Sequence, residues 1–112
     1  MNTSYYSLSA DHQNAVSIAG KAPEWFRGRK YRKLAPKLWF FKKYKEDGDT
    51  EFYTKQYYTE VLNKLDPQQV YDELGENSIL LCWEAPDKFC HRHIVAEWLS
   101  KNLHIEVSEL KK

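Results

Sequence analysis

The longest apolar run in the chain is Ile79-Leu80-Leu81-Cys82-Trp83, with Ser78 before it and Glu84 after it. It has strand length and no polar alternation, which is the pattern of a strand covered on both faces. A short loop over residues 84–89 leads into Cys90-His91-Arg92-His93-Ile94-Val95-Ala96-Glu97-Trp98-Leu99. There Ile94, Val95, Trp98 and Leu99 recur at helical spacing, and Glu97 and Lys101 stand four apart on the outer side. Residues 103–107 then alternate as Leu-His-Ile-Glu-Val and predict a second strand. Strand, helix and strand over about thirty residues make a right-handed parallel unit. The class this predicts is α/β: a single domain over residues 1–112, with a small, mainly parallel sheet flanked by helices in a Rossmann-like three-layer arrangement.

The remaining segments fit that frame. Residues 3–8 are rich in β-formers and predict an opening strand, and residues 15–19 predict a second, closed by Gly20. Residues 21–36 predict a long loop with one helical turn after Pro23. Pro36 opens a helix to about Tyr44, ended by Glu46-Asp47-Gly48-Asp49. Thr50 is placed as the cap of a helix over 51–64, and Asp66-Pro67 opens a helix over 68–74 closed by Gly75. With 112 residues, 42% of them hydrophobic and only four Pro and four Gly, the composition excludes disorder and low complexity. No segment is apolar enough to span a membrane, and no signal peptide is expected from the polar opening residues. Two cysteines make no disulfide framework, so the expectation is a cytoplasmic chain with reduced thiols.

The net charge of +1 conceals an asymmetry. Residues 21–45 carry ten Lys or Arg against Glu24 alone, while residues 46–112 are net −7. Trp25, Phe26, Tyr31, Trp39, Phe40, Phe41 and Tyr44 are interleaved with the cations. Cations for phosphates and rings for stacking are the chemistry of single-stranded nucleic-acid grooves. The opposing reading is that the acidic half folds back and neutralises the basic one.

In open parallel sheets, ligands sit beyond the carboxyl ends of the strands. That position holds Glu84, the loop, and Cys90-His91-Arg92 at the start of the helix. A cysteine there has its thiolate favoured by the helix dipole and by nearby cations. The Cys-x5-Arg spacing of thiol phosphatases is absent. Cys90 as nucleophile with His91 or His93 as base stands against Cys90 as packing. Arg92 as anion clamp stands against Arg92 as a salt-bridge partner of Glu97 or Glu84. Glu84 is an orienting acid or a general acid/base. Lys21, Tyr5, Trp25, Arg29 and Lys30 are the candidate substrate- or anion-binding residues around them. Cys82 reads as inert core, and a Cys82–Cys90 disulfide is not expected. The Cys and His spacing matches no zinc pattern, so neither a metal site nor a cofactor is expected.

These residues carry a resemblance. Residues 79–84, then Pro86, Phe89-Cys90-His91-Arg92, Val95-Ala96 and Trp98-Leu99 resemble the domain of unknown function 488 family. Residues 17–23 with Trp25, Leu34-Ala35-Pro36, Tyr57-Tyr58, Leu62 and Leu65-Asp66-Pro67 extend it over nearly the whole chain. The resemblance implies a small α/β domain with a cysteine-bearing ligand site, and no particular reaction. Two functions follow from the residues: a thiol-dependent enzyme on a phosphate-bearing or nucleic-acid-related substrate, or a non-catalytic nucleotide, nucleic-acid or anion-binding module. A protein-interaction domain is the third. Oligomeric state is left open.

Overall fold

Strand β4 (Ile79–Cys82) is buried at every position, as its unbroken apolar run requires. The computed structural model describes residues 1–110. Around β4 the chain builds a five-stranded sheet in the order β3-β2-β4-β1-β5, from β1 (Asn2–Tyr5), β2 (Ala15–Ser17), β3 (Arg29–Lys30) and β5 (Ser108–Glu109). Every pairing is parallel, with Tyr5 and Ser17 at the strand ends facing Cys82 and Leu81. The small α/β domain with a parallel sheet and flanking helices is therefore as the sequence predicts.

The pleat divides the core in two. Leu80 and Val16 point into one cluster, where they meet Phe40 of α2 (Leu38–Asp47), Tyr53 and Tyr57 of α3 (Thr50–Glu60), and Val70 and Leu74 of α4 (Pro67–Leu74). Ile94, Val95, Trp98 and Leu99 of α5 (His91–Leu103) complete it. Ile79 and Leu81 point the other way, against Tyr6 of the single-turn α1 (Tyr6–Ser9), Ala19 and Phe26. One face thus carries four helices, and the other carries a helical turn and a loop.

Local chemistry fixes the helix ends. The Asp49 carboxylate accepts from Phe52 N–H at 3.0 Å and caps α3, one residue earlier than the predicted Thr50 cap. Asp66 accepts from Gln68 N–H at 3.1 Å, with Pro67 in the first turn of α4. Gly48, at φ 67°, ends α2 in the left-handed conformation. Gly28 is needed for a different reason: a Cβ there would stand 2.5 Å from the Phe26 ring and 2.9 Å from the Ala15 carbonyl.

Three predicted elements are corrected. The opening strand stops at Tyr5, because the next residues turn to bury Tyr6 and to pair the Ser4 and Ser9 hydroxyls at 2.6 Å. The helix over 51–64 ends at Glu60 and passes into a 3-10 turn, Leu62–Lys64. The last strand is Ser108–Glu109, since α5 runs on to Leu103 and closes at His104 (φ 55°). The alternation in 103–107 is real, with Leu103, Ile105 and Val107 packed on the four-helix cluster, but it is extended chain crossing helices.

Candidate functional site

Beyond the carboxyl ends of β2 and β4 lies a cavity of about 780 Å³. The chain leaving β2 gives it Ala19, Gly20 and Lys21, and the chain leaving β4 gives it Cys82, Trp83 and Glu84. Cys90 and His91 enter from the start of α5, and Tyr44, Tyr53, Phe41 and Phe89 form an aromatic wall. Arg32 and Lys45 join Lys21 as cations on it, and Lys45 Nζ lies 3.6 Å from a Glu84 carboxylate oxygen.

On the cavity floor the structure corrects the reading of the cysteines. Cys82 and Cys90 form a disulfide between the end of β4 and the cap position of α5, so Cys82 is buried in the core as expected but is paired and not a separate thiol. The expectation of separate thiols came from composition and compartment. It could not register that the seven residues between them return the chain to the strand end that it left.

His91 is fixed by its other nitrogen. Its Nε2 lies 2.7 Å from the Ile18 carbonyl oxygen, which can only accept, so Nε2 carries the proton. Nδ1 is left with its lone pair, 3.9 Å from Cys90 Sγ. Burial is the main cause that depresses the His91 pKa to about 4, with the charges of Arg92 and His93 acting in the same direction, so the ring is neutral at pH 7. Tyr57 holds the ring in place by an edge contact at 5.6 Å.

Arg92 does not reach the cavity. It is fully buried, with Nε and Nη2 donating to the two Glu109 oxygens at 3.0 and 2.8 Å. Its remaining nitrogen, Nη1, donates to Cys82 Sγ at 3.2 Å. Thr3 donates to the same carboxylate at 2.6 Å. Burial opposes ionisation of Glu109, but the hydrogen bonds and charge of Arg92, with Thr3, outweigh it and hold its pKa below the usual carboxylate value. The anion that Arg92 holds is therefore Glu109, and not Glu84 or Glu97.

Of the other sequence candidates, Lys21 and Glu84 line the cavity, whereas Tyr5, Trp25, Arg29 and Lys30 stand outside its lining. Arg29 donates to the Glu73 and Leu74 carbonyl oxygens, both at 2.9 Å, and so closes the carboxyl end of α4. Trp25 is exposed and meets the Tyr6 ring edge-on. The sequence reading missed Cys82, Glu109 and the Tyr53–Phe89 wall. The helical spacing of Tyr53 and Tyr57 was a signal for the wall, but nothing near Arg92 in sequence announced Glu109.

The two sulfurs and a ring nitrogen of His91 lie within 4.8 Å of one another. Two thiolates and an imidazole whose far nitrogen donates to a carbonyl are a donor set that suits zinc once the disulfide is reduced. The cluster, with Arg92 behind it, is a potential catalytic or metal-binding site. The model of the DUF488-N3a family, described as the active DUF488-N3 subclade, matches residues 7–103. The chain belongs to this family. The match covers the cavity-forming segments, the cysteine pair and His91-Arg92, and stops short of Glu109. No curated protein and no solved structure matches the chain. No helix among the described residues is long and apolar enough to cross a membrane.

Proposed function

We propose that this DUF488-N3a domain is an enzyme that acts through the Cys90 thiol on a small phosphate-bearing or nucleotide-like substrate. The observation that carries the reading is the position of Cys90. It caps the thirteen-residue α5 at the cavity floor, beside the unprotonated Nδ1 of His91. The free N–H groups at the start of α5 favour a thiolate there. The aromatic wall suits a planar ring, and Lys21 and Arg32 suit an anion at its edge. The description of the subclade as active agrees with catalysis. The reading places the protein in the cytoplasm, where the disulfide would be reduced.

A second reading, a non-catalytic nucleotide or nucleic-acid module, is favoured by one feature: Leu38 and Trp39 are exposed on α2 beside Lys37 and Lys42, which form no ion pair among the described residues.

The deciding experiment is the pH dependence of Cys90 alkylation in reduced protein, with the modified residue read by peptide mass. The enzyme reading expects a midpoint well below the free-cysteine value of about 8.5. A midpoint at or above that value removes the nucleophile.

A further inference from the structure

We propose that Cys82 and Cys90 are a redox-active pair that reduces small, acidic organic disulfides, with Cys90 as the attacking thiol and Cys82 as the resolving one. The inference rests on Cys90 being a nucleophile, and it is independent of the substrate class proposed above.

Two observations separate this pair from a structural staple. Cys82 and Cys90 both belong to the lining of the cavity, at its buried floor, so the pair borders a space that a ligand can enter. Each sulfur sits by a group that favours its thiolate: Cys90 at the N-terminus of α5, and Cys82 accepting from Arg92 Nη1 at 3.2 Å. A bond whose two sulfurs each lie beside a group that favours the thiolate fits exchange better than stapling.

The chemistry balances as follows. Cys90 gives its proton to water and, as the thiolate, attacks one sulfur of the substrate disulfide. That S–S bond breaks, a Cys90–substrate disulfide forms, and the first thiolate leaves and takes up a proton from water. Cys82, held as thiolate by Arg92, then attacks Cys90 Sγ and expels the second thiolate, which takes up the proton that Cys82 has given to water. Two protein thiols and one substrate disulfide become one protein disulfide and two small thiols. A dithiol reductant returns the protein to its starting state. Lys21 and Arg32 favour a substrate that bears carboxylates.

The probe is oxidised glutathione, added to reduced wild-type protein in the presence of a chelator, with intact mass followed over time and intermediate samples mapped after alkylation. A transient single-glutathione adduct on Cys90, followed by loss of the adduct and closure of the Cys82–Cys90 bond, is expected. Cys82→Ser should arrest at the Cys90 adduct, and Cys90→Ser should react at least about tenfold more slowly. The wild-type map decides the order of attack even if a variant fails to fold. An adduct that maps to Cys82, persists on wild type, or never forms overturns the proposal. So does stoichiometric zinc in protein purified without chelator if its removal exposes no glutathione-reactive thiol. Alkylation of Cys90 with a depressed midpoint but no closure to Cys82 defeats this inference alone. A normal midpoint defeats the nucleophile reading beneath it.

Discussion

Arg92 joins the last strand to the cysteine pair: Nη2 donates to Glu109 Oε2 at 2.8 Å, while Nη1 donates to Cys82 Sγ at 3.2 Å. The guanidinium is fully buried, so its charge is met entirely by protein groups. This arrangement ties β5, at the sheet edge, to the chemistry at the end of the central strand.

Removing one partner of such a pair leaves the other charged and dry. Glu109→Ala should therefore destabilise the domain by about 3–5 kcal/mol, measured by urea unfolding. Arg92→Lys should recover little of the function of the pair, because an ammonium cannot hold both Glu109 oxygens and Cys82 at once. Equal urea midpoints for Glu109→Ala and wild type would show that the pair lies open to water.

Stability should also fall in acid, and His91 sets the first part of the fall. Its folded pKa of about 4 lies below the ordinary histidine value of about 6.5, so the unfolded chain binds the proton more readily. Above the unfolded value both states are neutral and nothing is lost. As pH drops from 6.5 toward 4 the unfolded state gains, which removes up to ~3 kcal/mol. His93, also depressed by burial, adds to the same window, while Glu109, depressed by Arg92, contributes only as pH falls below the usual carboxylate value. Urea midpoints between pH 7 and 4 should drop steeply for wild type and less for His91→Asn. Parallel curves would mean that His91 is charged in the folded protein.

Gly28 tests the packing of the thinner face. An added methyl there would press on the Phe26 ring at 2.5 Å and the Ala15 carbonyl at 2.9 Å, and the carbonyl cannot give way. Gly28→Ala should cost about 1–3 kcal/mol by displacing β3 from β2. An unchanged melting temperature would show that this edge of the sheet moves freely.

How much of this was legible in the sequence follows from which forces are local. The apolar run at 79–83 fixed the central strand, and capping chemistry at Asp66-Pro67 and Gly75 fixed α4. The cavity position followed from topology, since Lys21, Glu84, Cys90 and His91 all lie beyond strand ends. The Arg92–Glu109 pair was not legible. A lone Glu on a two-residue edge strand carries no periodicity, and burial of a guanidinium is decided only when the sheet closes. The basic stretch was misleading for a related reason: Glu73 gathers Lys33 and Tyr31, while Arg29 closes a helix end, so part of that charge holds the fold together. A Cys82–Cys90 disulfide is not expected from a reducing compartment, and the meeting of the two residues is a property of the loop between them.

What is left of the basic stretch at the cavity makes the last prediction. Lys21 and Arg32 line it and form no ion pair among the described residues, whereas Lys45 is already engaged by Glu84. Both are exposed, so their attraction for an anion acts through solvent and is screened within about 10 Å at 0.1 M salt. A fluorescent mononucleotide should therefore bind more weakly as salt rises, and Lys21→Glu with Arg32→Glu should weaken it by about tenfold or more at low salt. The double variant should retain its stability, because neither side chain is buried. Tyr53→Ala should weaken the same probe at every salt concentration, since loss of a ring from the wall removes stacking that salt does not screen. Binding that ignores both salt and charge reversal would mean that the wall alone recognises the ligand, and that the cavity takes a neutral ring.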